Sequence, residues 1–136
     1  MNKVVITGMG AVSACGIGAN ALVNASQRGK TGVRDVEFSE IENQRVLTAA
    51  ALAPESKAQI AGELGHRMRD PVANYAIVAA REAVGQAGLG PEDFGDRCAV
   101  SIGSGFGGAQ TLNTNYIKFG AEGSMRLDPM AVPKIM

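Results

Sequence analysis

Apolar and polar positions follow two rhythms along this chain, and the changes of rhythm divide it into short strands and helices. Lys3 to Thr7 is a β-branched run closed by Gly8 and Gly10, which predicts a buried strand leading into a tight loop. From Ala19 to Arg28 the residues Leu22, Val23 and Ser26 fall at helical spacing, and Gly29 ends that helix. Residues 30 to 45 are polar and mixed, so they read as a surface loop with one short strand. Arg45 to Leu52 reads as a second strand, although its alanines weaken the pattern. Pro54 and Glu55 open a short helix to about Leu64.

The clearest element runs from Asp70 to Leu89. Asp70 suits an N-cap and Pro71 the first helical position. Val72, Ala73, Ala76, Ile77, Ala80, Val84 and Ala87 then form one stripe, and Gly88 and Pro91 end it. So many alanines predict a helix packed closely against other elements. Arg97 to Ile102 reads as a third strand that runs into the glycine-rich stretch Gly103–Gly108. Ala109 to about Phe119 is helical in pattern, and Gly120 and Gly123 loosen the chain after it. Asp128 to Pro133 is expected to be extended, because a residue before proline is pushed from the α region. Pro133 to Met136 looks like the first turn of a further helix.

Composition narrows the classes. The 136 residues are 46% apolar but contain only two Tyr, four Phe and no Trp, so the core must be built from Ala, Val, Ile and Leu. The eighteen glycines are not periodic, which excludes a collagen-like chain and points to turns and close backbone approach. Thirteen basic and thirteen acidic residues balance, so no basic field favours nucleic acid. No apolar run approaches the ~18 residues of a membrane span, and the start has no signal-peptide pattern, so a cytoplasmic protein without a membrane partner is expected. Cys15 and Cys98 lie far apart, with no CxxC and the single histidine His66, so zinc spacing is absent. Both cysteines read as small buried hydrophobes rather than a disulfide.

Candidate motifs are few. Gly103-x-Gly105-x-x-Gly108 matches the dinucleotide-binding spacing and falls between a predicted strand and a predicted helix. No second strand ending in an acid follows it at the required distance, so a glycine turn lining a pocket is the preferred reading. Thr7-Gly8-x-Gly10 lacks the third glycine, because position 13 is Ser13. Gly29-Lys30-Thr31 follows a helix, whereas a phosphate loop precedes one. His66 lies in the charged run His66-Arg67-Met68-Arg69 and reads as a solvated residue. Cys15 has no base near it in sequence, so no nucleophilic pair is assembled. No cofactor and no metal is expected.

Three stretches, taken together and in order, resemble the β-ketoacyl-acyl-carrier-protein synthases, in particular the elongating condensing enzymes. They are Val4 to Ser13, the helix from Tyr75 to Ala80 through Gly88-Leu89, and Ile102 to Gly108 followed by Asp128 to Pro133. The resemblance implies an α/β, thiolase-like layered fold of two similar halves. Residues 1–136 would be most of the first half, an incomplete domain. It implies acyl transfer to an activated cysteine and decarboxylative condensation with malonyl-carrier protein, in fatty acid or polyketide synthesis. The family's nucleophilic cysteine and its histidines match nothing here and would lie beyond Met136, so the chain alone is expected to be inactive. Phe106, flanked by Gly105 and Gly107, matches the bulky residue that lines and gates the family's acyl pocket. Met130 and Ala131 match the segment that reaches the partner's pocket, where aromatic residues are common and Ala131 departs from the pattern. Arg67 and Arg126, with Arg69 close by, match positions facing the acidic acyl carrier protein. A homodimer through the third strand and the helix after the glycine loop is also implied. Two other readings stay open: a non-catalytic binding or structural module of the same fold, and a nucleotide-binding oxidoreductase fragment.

Overall fold

The computed structural model describes residues 3–36, 47–65 and 69–135. In chain order its elements are β1 (Val12–Ser13), β2 (Gly16–Ile17), α1 (Ala19–Gln27), β3 (Arg34–Val36), β4 (Leu47–Ala49), α2 (Pro54–Leu64), α3 (Pro71–Ala87), a 3₁₀ turn (Pro91–Asp93), α4 (Ala109–Gly120) and α5 (Ala131–Ile135). The strands form two separate antiparallel pairs. β1 meets β2 with Val12 opposite Ile17, and β3 meets β4 with Asp35 opposite Thr48.

α3 is the axis of the arrangement, and it forms for the local reasons its sequence offers. Asp70 Oδ1 accepts from the Val72 N–H at 3.1 Å, Pro71 occupies the first turn, and Gly88 closes the helix in the left-handed region. Ala79 and Ala83, beside the helix's alanine stripe, let backbone approach backbone. A Cβ placed on Gly8 or Gly10 would run into the carbonyl oxygens of Ala83 and Ala79, so only glycine fits there. α2 packs on another side of α3 and supplies Ile60, which is 2% exposed. The turn between α2 and α3 is tied by polar bonds: Arg69 Nε donates to Asn74 Oδ1 at 3.0 Å, Arg69 Nη2 to the Leu64 carbonyl at 2.8 Å, and Asn74 Nδ2 to the Gly65 carbonyl at 3.2 Å. Arg69 thereby satisfies a carbonyl that the C-terminus of α2 leaves open.

The polar row of α3 holds the N-terminal segment. Gln86 Oε1 accepts from the Met9 N–H at 2.5 Å, and Glu82 Oε2 from the Ala11 N–H at 2.9 Å. Glu82 Oε1 also accepts from the Ala19 N–H at 2.8 Å, so it caps α1, whose own N-cap, Gly18, has no side chain.

Several expectations need correction. Lys3 to Thr7 is extended but belongs to no strand, and Val4 and Ile6 are 94% and 84% exposed. Arg97 to Ile102 likewise forms no strand, and Val100 is 85% exposed. A β-branched run becomes a strand only in a hydrogen-bonded ladder, and among the described residues no ladder includes either run. The second strand shrinks to β4; Arg45 and Val46 lie outside the described residues. Cys15 is half-buried and Cys98 exposed rather than buried, Cys98 because its segment is unpaired. Finally, residues 131–133 are helical, not extended. Asp128 accepts from the Met130 N–H through Oδ1 and from the Ala131 N–H through its carbonyl, both at 2.9 Å. Those two bonds nucleate α5 and override the proline bias, and Pro133 falls in the first turn, where no donor is missed.

Candidate functional site

The apolar stripe of α3 that faces away from the N-terminal segment is the floor of a groove of about 430 Å³. Val72, Ala73, Ala76 and Ile77 form that floor, Val100 and Ile102 one side, Ser104, Gly107 and Gly108 a loop edge, and Pro133 to Ile135 the opposite wall. Arg69 and Asp70 close one end. An apolar trough with polar groups at one end suits a ligand with an aliphatic body and a polar head.

Asp70 is not free to act as a base. It is 3% exposed, and its second oxygen accepts from both the N–H and the hydroxyl of Thr111, each at 2.8 Å. With the bond to Val72, three donors engage it, so it joins the N-termini of α3 and α4. Tyr75 lies near it; burial first, and the Asp70 charge second, hold its phenol above the usual tyrosine range, so it stays neutral. Beside the groove a polar hollow of about 230 Å³ is lined by Asn74, Thr114, Asn115, Lys118, Asp128 and Lys134, among others. Asp128 pairs with Lys134 at 2.6 Å. The hydrogen bond from Lys134, then that from the Met130 amide, holds its carboxyl below the usual range. Because the folded value is the lower one, this pairing stabilises the fold above the usual carboxylate range near ~4 and is lost as pH falls through the lowered value.

Three amides of the glycine loop and the start of α4 are engaged within the protein: Gly107 N–H donates to Ser104 Oγ at 2.8 Å, Gly108 to the Ile135 carbonyl at 3.0 Å and Thr111 to Asp70. An anion at this helix start would find none of those donors free. Gly107 and Gly108 of the dinucleotide-like spacing serve close backbone packing, since a Cβ on either would meet the Ile135 or Lys134 carbonyl oxygen. Among the described residues no group of three His, Cys, Asp or Glu could hold a metal ion. Among them, too, no helix is long and apolar enough to cross a membrane.

The residues singled out in the sequence are only partly gathered. Gly107 edges the groove, and Met130 and Ala131 lead into its α5 wall. Gly105 and Phe106 are exposed in the loop; Phe106, at 69%, lies outside the groove lining. Arg69 is exposed at its surface but its guanidinium is engaged by α2 and α3. Arg126 is exposed and lines neither hollow. Arg67 and His66 lie outside the described residues. Sequence reasoning missed Thr111, whose partner Asp70 lies 41 positions away, and Asn115, Asp128 and Lys134, whose nearby contacts match no recognised motif.

Residues 1–135 match the family described as "Beta-ketoacyl synthase, N-terminal domain". The chain belongs to the β-ketoacyl synthase family. It is 34% identical over 135 residues to "3-oxoacyl-[acyl-carrier-protein] synthase 2" of Staphylococcus aureus (strain COL), covering 98% of this chain and 33% of that protein. The protein of the same name from Coxiella burnetii is 30% identical over 132 residues, covering 96% and 32%. The solved structure of "The ishigamide ketosynthase/chain length factor" superposes with a TM-score of 0.78 at 26% identity, over 97% of this chain and 33% of that one. The β-ketoacyl synthase chain thus spans about a third of the length of the curated relatives it matches. Its mixed helix-and-sheet backbone is a ketosynthase backbone over that third.

Proposed function

We propose that this chain is the N-terminal portion of a 3-oxoacyl-acyl-carrier-protein synthase with a thiolase-like fold, and that it contributes one wall of the acyl-binding region. The observation that carries the reading is the apolar groove on α3, bounded by the glycine loop and α5, in a chain matched to the family over residues 1–135. In the whole enzyme a cysteine thiolate displaces the carrier thiol from an acyl thioester. Malonyl-carrier protein then loses CO₂, and its carbanion attacks the enzyme thioester, forming the new carbon–carbon bond and freeing the cysteine. The roles assigned to this chain are acyl-chain lining (Phe106 with Gly105 and Gly107, Met130, Ala131) and carrier docking (Arg67, Arg69, Arg126).

We infer that neither Cys15 nor Cys98 is the nucleophile, since a reactive thiol needs a base to activate it and both are free cysteines for which the described residues show no hydrogen bond from the sulfur to a base. The purified chain, incubated with a radiolabelled acyl thioester, is expected to gain no label. A stoichiometric burst onto Cys15 or Cys98 would show that catalysis resides in this third after all.

Two further results are expected of the enzyme carrying this segment. Phe106→Ala should change its relative kcat/KM for short and long acyl thioesters by about tenfold, the scale on which an apolar pocket discriminates chain length. Charge reversal of Arg67 and Arg126 together should raise KM for the carrier protein, steeply at low salt, because steering of an acidic partner rests on few charges. An unchanged KM at low ionic strength removes the docking assignment.

A second reading has one observation in its favour. One structural neighbour is described as a ketosynthase/chain length factor, so a non-catalytic chain that shapes a partner's pocket is a role the same groove would suit. Activity restored only on adding a second, cysteine-bearing chain would select it.

A further inference from the structure

One wall of the groove is not held by packing alone. α5 has five residues, too few to persist as a helix by itself. It is fixed by polar bonds. Lys134 Nζ donates to Asp128 Oδ2 at 2.6 Å, and the Lys134 side chain is only 11% exposed, so the pair is largely withdrawn from water on that side. Asp128 is held in turn: its N–H donates to Asn115 Oδ1 at 2.9 Å, and its Oδ1 accepts from the Met130 N–H at 2.9 Å. Asn115 is oriented by donating from Nδ2 to the Thr111 carbonyl at 2.8 Å, and Thr111 is anchored on buried Asp70. A continuous bonded path therefore runs from the start of α3, at the end of the groove floor, to the wall that Pro133 and Ile135 present. Such a network gives α5 one position where apolar contacts would tolerate several.

We propose that Asn115, Asp128 and Lys134 are positioning residues that fix the α5 wall and so set which acyl chains the groove accepts. The inference rests on the acyl-groove reading above. Lys118 of α4 also faces Asp128, so Lys134 is not the sole cation on that carboxylate.

The test uses the enzyme that carries this segment, assayed with short-chain and long-chain acyl thioesters. Asp128→Ala and Lys134→Met are each expected to shift the long-to-short kcat/KM ratio about three- to tenfold, mainly through KM for the acyl thioester. The double variant should shift it no further than Asp128→Ala, since both changes break one contact. Asp128→Asn, which keeps one side-chain acceptor, should shift it less than Asp128→Ala. Hydrogen exchange should quicken at residues 131–135 and not in α3. If Asp128→Ala loosens α3 as well, Lys134→Met decides, because it leaves the Asp128 bonds to Asn115 and Met130 in place. A ratio unchanged within about twofold in Lys134→Met, while Ile77→Ala on the groove floor still shifts it, overturns the positioning role and leaves the groove reading standing. If Ile77→Ala is also without effect, both are overturned.

Discussion

Asp70→Ala is expected to lower the stability of this chain by about 3 kcal/mol or more, from a lost N-cap worth ~1 kcal/mol and two deserted donors on Thr111 at ~1–3 kcal/mol each. The cost lies in what is left behind. Val72 loses the acceptor for its N–H, and the N–H and hydroxyl of Thr111 face the side of a missing carboxylate. Water cannot readily replace it, because Asp70 is 3% exposed. Asp70→Asn should cost less, since one amide oxygen can still accept. Thr111→Val in the Asp70→Ala background should add little, because the two residues share the same bonds. The check is the denaturation midpoint of the four proteins. Equal midpoints for Asp70→Ala and the parent would mean that the two helix starts are joined by something other than this carboxylate.

Gly108→Val should be of similar size and act at the other side of the groove. Gly108 is buried, and a Cβ there would run into the Lys134 carbonyl oxygen and come within 2.8 Å of Ile135 Cα. Both obstacles are backbone, so no rotamer change relieves them. α5 must move off the glycine loop, and the bond from the Gly108 N–H to the Ile135 carbonyl goes with it. Overpacking of this kind costs about 1–3 kcal/mol, and the broken bond adds about 1 kcal/mol. Hydrogen exchange and proteolysis should localise the damage to residues 128–135 while α3 keeps its protection. A variant with normal stability and a protected α5 would show that the loop and α5 can separate without cost.

These two sites also mark how far the sequence could be read. Asp70 was legible as an N-cap, because capping is decided within three residues. Its second oxygen was not, because Thr111 lies 41 positions away. The helices were legible for the same local reason. α1, α2, α3 and α4 begin and end within a residue or two of where capping residues, prolines and glycines place them. α5 failed at its start: the rule that disfavours helix before proline was outweighed by Asp128, which supplies two acceptors at once. The β-branched runs at 3–7 and 97–102 misled for the opposite reason. Their composition suits a strand, but a strand is a pairing, and composition says nothing about whether the partner is present.

The glycine loop shows the division most plainly. By itself the spacing Gly103-x-Gly105-x-x-Gly108 fits a phosphate cradle or a close-packed turn, since both need backbone without a Cβ. The tertiary structure favours the close-packed turn, because the Gly107 and Gly108 amides bond to Ser104 and Ile135 and a Cβ on either would meet the α5 backbone. The sequence alone determined the helix boundaries, the balance of acidic and basic residues, the absence of an apolar run as long as a membrane helix, and, through three ordered stretches, the β-ketoacyl synthase family. Tertiary structure alone decided which face of α3 is left open as a groove and which residues hold its α5 wall. Helix ends depend on neighbours a few residues away; grooves and networks depend on neighbours brought close only when the chain folds.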